Sequence, residues 1–571
     1  MKPSVYHRYR TAFIEAIAAR LGASAQDISG QVKEAEPVHG DLSFPTFSLA
    51  KSQKKAPAAI ASSLATGLSV PGLQIQAQGP YLNARFLPMP FFQEVLEQAR
   101  TLGAAFGSGD SQRGKTVVID YSSPNIAKPI AFHHIRSTVI GHCLSNLYAS
   151  QGARVEGINY LGDWGKQFGL VAVGFSEYGD PARKHHMAHL VDVYVKANAR
   201  AEKDPTFDEQ ARRFFRRMEQ KDAEALRLWK ELRETSLDDF KKIYQRLGIQ
   251  FTHYEGESRY QDRMDAVIDE IARTVGVKES EGALIVDMDY AENEPPVLLR
   301  KNDGSSLYAT RDLAAAIDRY ERFHFDQALY VVSTDQSLYF RQLFKVLERM
   351  GKPWAKGLVH VGFGRVHGMS TRKGQIVLLD DVLNEAKNLA LEKVLENQSA
   401  GKIQTDQPEL LAEQVAIGAV VFGDLKNRRL TDYTFNWEEV LSFEGHTGPY
   451  LQYAHARACN ILLKGGGAPT HFDAGLLVLP EEQALVRSVA RLPVVVEEAL
   501  EHNEPSTLAR YLLELGAAFS HWYTAGNQDR EKRALVSDPA LRDARLALTD
   551  SVRIALAAGL ELLGIPVPEK M

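Results

Sequence analysis

"TVVIDYSSPNIAKPIAFHHIRSTVIGHCLSNLYASQGARVEGINYLGDWG" occupies Thr116–Gly165. Its first five residues, Thr116–Asp120, form an apolar, β-branched run that suits a buried strand. A turn containing Pro124 and Pro129 follows. Ile135, Val139, Cys143 and Leu147 then recur every four residues and predict a helix, with Gly152 as its stop. A second strand and a loop follow, from Ala153 to Gly165. Strand, helix, strand implies a parallel sheet with a right-handed crossover. Ligands of such sheets sit beyond the C-terminal ends of the strands. Asp120, Asn125, Lys128, His133 and His134 all follow the first strand and are therefore candidate site residues. Donors near a helix N-terminus suit a polyphosphate. A capped turn fits the same residues, and this stretch alone leaves both readings open.

Working outward, the residues before Thr116 begin with a helix and include "AQGPYLNARF" (Ala77–Phe86), which alternates like a strand around a Gly-Pro turn. "GAAFGSGDSQRGK" (Gly103–Lys115) reads as a linker. Beyond Gly165 the sheet pattern stops, and from about residue 205 to 248 the chain is strongly helical and charged. Sheet-like runs resume at "ALIVDMD" (Ala283–Asp289), "PVLLRK" (Pro296–Lys301) and "QALYVVSTD" (Gln327–Asp335), and "LVHVGFG" follows at Leu358–Gly364. A sheet split by a helical insertion at about 180–290 is the simplest reading. From about residue 400 the chain reads as wholly helical, with a break at "EGHTGP". The expected fold is multidomain α/β. An N-terminal α+β domain covers 1–110, a Rossmann-type catalytic domain 111–400, and an all-α domain 401–571. No internal repeat is present.

At 571 residues the chain is too long for one domain, since domains typically hold roughly 100–200 residues. A formal net charge of −5 excludes a chain coated in basic residues, but leaves room for local basic patches. The two cysteines, Cys143 and Cys459, lie far apart in sequence, so no cysteine-rich zinc site or disulfide framework is expected. Sparse cysteine fits a reducing cytoplasm. The first residues lack the apolar core of a signal peptide, and no apolar run reaches the ~20 residues of a membrane span.

Three further stretches carry candidate chemistry. "GMSTRKGQ" (Gly368–Gln375) brackets two hydroxyls and two cations between glycines. Such a loop can neutralise phosphates, and a solvated basic turn has the same composition. "LYATRD" (Leu307–Asp312) sets Tyr308 and Asp312 four apart, on one face if helical, where a carboxylate would pair with a cationic substrate. "ARRFFRRMEQK" (Ala211–Lys221) has the makings of a nucleic-acid patch. A solvated helix face with Phe214 and Phe215 buried is the simpler reading. No CxxC or GxxxxGK[ST] spacing occurs.

Together these stretches resemble the arginyl-tRNA synthetases, class I enzymes with an N-terminal accessory domain. The resemblance covers nearly the whole chain in collinear order. "SSPNIAKP" with "IRSTVIG" is similar to the family's ATP signature, and "NYLGDWGKQFG" (Asn159–Gly169) is a highly specific family stretch. "DGSSLYATRDLAAA" (Asp303–Ala316) resembles the arginine-pocket segment. "FGRVHGMSTRKG" (Phe363–Gly374) resembles the second class I signature in its eukaryotic-type form. "SFEGHTGPYLQYAHAR" (Ser442–Arg457) resembles the anticodon-binding helices, and the ending "LLGIPVPEKM" is typical too.

The resemblance implies activation of L-arginine by ATP to arginyl-adenylate, then transfer to tRNA(Arg). Magnesium accompanies the ATP, and no tightly bound protein-liganded metal is expected. It also implies a monomer, with no membrane partner. By position, Asp120, Asn125, Tyr308, Asp312 and Gln336 would line the arginine pocket, with Asp312 as the guanidinium partner. Asp120 stands where the family often has glutamate. Pro124, Lys128, His134, Met369 and Ser370 would contact ATP. Lys128, His133, His134, Ser370, Arg372 and Lys373 would handle phosphates. Gln78, Tyr81 and Asn83 would dock the tRNA elbow, and Tyr450, Gln452, Tyr453 and Arg457 would face or support the anticodon.

Two departures matter. The first signature normally reads His-x-Gly-His, and here reads Ala131-Phe132-His133-His134. The second has Gly368 where many class I enzymes have lysine, and Lys128 is a candidate to replace that charge. An active ligase is the leading reading. The runner-up is a tRNA- or arginine-binding paralogue with weak or lost activation, motivated by Ala131 and His133. The N-terminal domain and "GDWGKQFG" disfavour a different class I synthetase.

Overall fold

The computed structural model describes all residues except 1–2, 37, 184–185, 289–294, 301–307, 369–376 and 402. Thr116–Asp120 is the centre of a five-stranded parallel sheet. Its spatial order is Leu358–His360, Gln327–Tyr330, Thr116–Asp120, Arg154–Leu161, His253–Gly256. Val117, Val118 and Ile119 are buried, as a strand covered on both faces requires. The chain adds strands on one side of Thr116–Asp120 first, then returns to add Gln327–Tyr330 and Leu358–His360 on the other. The crevice at this reversal is where open α/β sheets hold ligands.

The helix Ile135–Ser150 buries Ile135, Val139, Cys143 and Leu147 against the sheet. It lies so close that a Cβ on Gly141 would sit 2.2 Å from the Tyr121 ring, so only glycine fits there.

The helical excursion is not where the sequence placed it. Its helices run Lys166–Tyr178, Met187–Ala201, Pro205–Glu219 and Ala223–Arg246, and His253–Gly256 is already back in the parallel sheet. That strand is four residues long and carries His253 and Glu255, too short and polar to stand out. "ALIVDMD" and "PVLLRK" do not extend the main sheet. Ala283–Val286 pairs with Val297–Arg300 and Lys278–Ser280 in a separate antiparallel sheet. The arginine-rich helix Pro205–Glu219 is a solvated face. Arg213 and Arg216 pair with Glu209, Arg217 pairs with Asp222 and Glu224, and Phe214 and Phe215 pack against the core.

The N-terminal unit is an antiparallel sheet, ordered Lys33–Glu34, Leu42–Pro45, Tyr81–Phe86, Leu73–Gln78, with the helix Val5–Leu21 packed beside it. Gly79 and Pro80 make the hairpin turn between Gln78 and Tyr81. The C-terminal unit is built from the helices Pro408–Leu425, Gly448–Gly465, Pro480–Glu501, Pro505–Gln528 and Pro539–Leu562. It is not wholly helical, because Tyr433–Thr434 pairs in parallel with Val366–His367. The N-terminal unit docks on it through ion pairs, Asp41–Arg487 and Glu34–Arg491, each at 2.8 Å. Among the described residues, no helix is long and apolar enough to cross a membrane.

Candidate active site

A cavity of about 770 Å³ opens at the reversal of the sheet. Its wall includes Asp120, Ser123, Asn125, His133, His134, Tyr308, Asp312 and Gln336. Residues from three separate sequence stretches thus meet in one space.

The floor is a strained loop. Ser122, Ser123 and Ala127 have φ of 69°, 46° and 60°, values that non-glycine residues rarely adopt. The loop is held from several directions. The Ser122 amide donates to Ser137 Oγ at 2.9 Å, and the Ala127 amide donates to Ser236 Oγ at 3.0 Å. The Ile126 amide donates to the Gly162 carbonyl at 3.2 Å. Gly162 belongs to the "GDWG" stretch, and a Cβ there would lie 1.9 Å from Asn125 Oδ1. A side chain at 162 would therefore push Asn125 out of its place.

The acidic part of the cavity is carried by the helix Tyr308–Phe323, which begins at Tyr308 and so sets Tyr308 and Asp312 on one face. The Tyr339 hydroxyl donates to Asp312, and the Tyr160 hydroxyl lies beside the same carboxyl. Burial pushes the Asp312 carboxyl up to about 6, against the lowering effect of the Tyr339 bond and of Arg319. Glu257, which the sequence did not single out, lines the same cavity. Burial pushes it up to about 8, even with Arg311 Nη1 at 3.2 Å, and Asp312 and Asp163 push it further the same way. Two carboxyls whose charge is disfavoured by burial make a site that a cation would stabilise.

Asp120 is differently placed from what was expected. It lines the cavity, but Arg319 Nη2 lies 2.8 Å from its Oδ2, and Ser123 Oγ donates to its Oδ1 at 2.8 Å. Arg319 is fully buried and lies over the Tyr160 and Tyr330 rings at 5.0 and 5.5 Å. Both oxygens of Asp120 thus have protein partners, which its short side chain brings within reach.

The two histidines form a short 3-10 turn, Phe132–His134, just ahead of the helix Ile135–Ser150. Their rings lie 4.2 Å apart at 31°. His134 Nδ1 lies 3.1 Å from the Ala131 carbonyl, so it carries the proton and Nε2 is left as an acceptor while the ring is neutral. Burial, and then the neighbouring His133, lower His134 to about 4, and burial lowers His133 as well. His133 shares the cavity with His134 even though the usual first histidine has become Ala131.

Several expected contacts fall elsewhere. The exposed Lys128 ammonium lies over the Tyr194 ring at 5.1 Å and is not part of the cavity wall. The left-handed turn at Ala127 precedes this placement. Pro124 is buried behind the wall, where its carbonyl accepts from the Gly162 amide at 3.2 Å. Met369, Ser370, Arg372 and Lys373 lie outside the described residues.

On the N-terminal unit, Gln78 and Tyr81 are exposed, and Tyr81 meets Phe47 edge-on at 5.7 Å. Asn83 is 3% exposed: strand alternation puts it on the same face as Tyr81, but there it is covered by the rest of the fold, so its side chain is not open to a partner. In the helix Gly448–Gly465, Gln452 is also inward and fully buried. It donates to the Gln414 and Pro566 carbonyls at 2.9 and 2.8 Å, which leaves it a packing role. Tyr450, Tyr453 and Arg457 line a separate cavity of about 550 Å³, with Arg457 between the Tyr453 and Tyr523 rings at 4.7 and 4.6 Å.

Three family models match the chain in order. These are the arginyl tRNA synthetase N-terminal domain at residues 7–86, the catalytic domain of class I (R) tRNA synthetases at 95–437, and the DALR anticodon binding domain at 451–571. The chain is 42% identical over 541 residues to an arginine–tRNA ligase of Alkaliphilus metalliredigens, covering 93% of this chain and 94% of the relative. It is 41% identical over 545 residues to the arginine–tRNA ligase of Halothermothrix orenii, covering 94% of each. The arginyl-tRNA synthetase structure of Thermus thermophilus superposes with a TM-score of 0.84 at 26% identity, covering 98% of this chain and all of that one. The chain belongs to the arginyl-tRNA synthetase family of class I tRNA synthetases.

Proposed function

We propose that this protein is an arginine–tRNA ligase, which joins L-arginine to tRNA(Arg) at the expense of ATP. The observation that carries the reading is one cavity holding both a destabilised pair of carboxyls, Asp312 and Glu257, and the adjoining histidines His133 and His134. The guanidinium of arginine meets Asp312, for which its planar fork is a good match. Glu257 adds negative potential, and Asn125, Tyr308 and Gln336 shape the rest of the arginine subsite. The arginine carboxylate attacks the α-phosphorus of ATP, the α–β P–O bond breaks, and pyrophosphate leaves with the charge. In the second step a terminal ribose hydroxyl of the tRNA attacks the acyl carbon, and AMP leaves. Catalysis of this kind rests on alignment and on donors aimed at developing charge. His133 and His134 serve there, with Ser370, Arg372 and Lys373 of the second signature. Magnesium enters with ATP, held by its phosphates.

The tRNA would contact Gln78 and Tyr81 at one end and Tyr450, Tyr453 and Arg457 at the other, where aromatic faces and a guanidinium suit unstacked bases. The protein works as a single chain in the cytoplasm. The deciding experiment is arginine-dependent ATP–pyrophosphate exchange, with and without tRNA(Arg). Folded protein that binds tRNA but exchanges under neither condition would identify a binding paralogue instead.

A further inference from the structure

Arg136 lies two residues beyond His134 and is 1% exposed. Its Nε is 3.1 Å from Asp424 Oδ2. Its Nη1 donates to the Gly364 and Thr431 carbonyls, each at 2.9 Å. The Tyr433 ring lies 5.1 Å from its guanidinium carbon, and the Tyr433 hydroxyl lies beside Asp424. One guanidinium therefore joins three segments: the histidine helix, a wall of the active-site cavity, and the helix Pro408–Leu425 that carries Asp424.

That wall is Phe363–Val366. Up to Phe363 it is tied to the parallel sheet, whose Thr334 amide donates to the Phe363 carbonyl at 3.0 Å. From Gly364 onward its backbone is held by residues 429–435 and Arg136, while the exposed Arg365 side chain reaches Asp335 at 2.8 Å. The Gly364 amide donates to the Arg429 carbonyl at 2.8 Å, the Tyr433 amide to Arg365 at 3.1 Å, and the Phe435 amide to His367 at 2.9 Å. Asp432 accepts from the Arg365 amide at 2.7 Å and lies 3.1 Å from His367 Nε2. A Cβ on Gly364 would fall 2.5 Å from Asp432 Oδ1 and 2.8 Å from the Thr431 backbone, so the two segments are in the closest possible contact.

We infer that Arg136, Asp424 and Asp432 are positioning residues, and that residues 429–435 form a strap by which the helical unit sets the cavity wall Gly364–Val366 against His134. Arginine suits this post because its fork is rigid and always charged. A buried ion pair is a poor way to gain stability, since well-packed apolar residues often do as well, so geometry is the better reason to keep one here. The inference rests on the assignment of the cavity to arginine and ATP. Asp312 sits on a different helix that Arg136 does not touch, so the arginine subsite should be spared.

The test uses three variants of the full chain: Asp432→Asn, whose side chain is about half exposed, Tyr433→Phe, and Arg136→Lys. Two readouts are taken. Amide hydrogen exchange covers peptides 363–368 and 429–435. Pyrophosphate exchange with tRNA(Arg) gives the KM for ATP and for arginine. The expected result for Asp432→Asn is faster amide exchange confined to these two peptides, an ATP KM raised about tenfold, and an arginine KM within twofold of wild type. Arg136→Lys, which keeps the charge but loses the fork, should move both readouts further. Unchanged amide exchange overturns the inference, as does an ATP KM that stays put or rises together with the arginine KM. Absence of exchange in the wild type would reject the ligase reading alone, because the amide readout does not depend on it.

Discussion

Replacing Asp312 by asparagine should make the protein more stable and a worse binder of arginine, by linked amounts. Burial carries the Asp312 carboxyl from 3.8 to about 6. One pH unit corresponds to about 1.36 kcal/mol, so keeping this group ionised in the empty cavity costs at most about 3 kcal/mol. The sign follows from linkage. The folded state holds the proton more tightly than the unfolded chain, so the group does no harm below pH 3.8. Its destabilisation grows as pH rises and is complete above about pH 6. Asparagine removes it, and thermal unfolding at pH 7.5 should move up by a few degrees, with little change near pH 4. When a guanidinium pairs with the carboxylate, the same ~3 kcal/mol is recovered, so the variant should bind arginine about 150-fold more weakly. Calorimetric titration of arginine should also show wild-type affinity falling about tenfold per pH unit below about pH 6, and a flat profile for the variant. An arginine Kd within threefold of wild type, or a lower unfolding temperature for the variant, would refute the reasoning.

His134 starts near 4 and faces a site for phosphates, so ATP binding should raise it, with proton uptake that grows as pH falls toward 5. Calorimetry in buffers of different ionisation enthalpy should detect it, and His134→Asn should abolish it. In the helix Gly448–Gly465, Gln452→Ala should lower thermal stability by about 1–3 kcal/mol through the cavity it leaves and the lost bonds to the Gln414 and Pro566 carbonyls. Arg457→Ala, one turn on, should leave stability nearly unchanged and raise the KM for tRNA. Gly169→Ala should destabilise the helical insertion, because the added Cβ would meet the Ala211 carbonyl at 2.0 Å. Overpacking of this kind costs about 1–3 kcal/mol, and a urea midpoint unchanged from wild type would count against the close packing.

Local patterning was enough for much of this. The apolar run Thr116–Asp120 and the four-residue recurrence from Ile135 to Leu147 determine a strand and a helix, because a buried strand and a helix face each write their own period into the chain. The spacing of Tyr308 and Asp312 determines a shared face once a helix forms, and the collinear family stretches determine the enzyme class. What the sequence could not determine is which partners the fold would supply. Asp120 reads as a free carboxylate until Arg319, some 200 residues later, is folded against it. Lys128 reads as a phosphate ligand until the backbone turn at Ala127 is known. Asn83 and Gln452 read as docking residues until packing against distant segments buries them. Glu257 carries no local signal, and Arg136 stands in the "IRSTVIG" stretch with nothing nearby in sequence to name its partners. Their charge acquires meaning only from burial beside Asp312 and Asp424, and burial, desolvation and pairing between distant segments are properties of the folded chain.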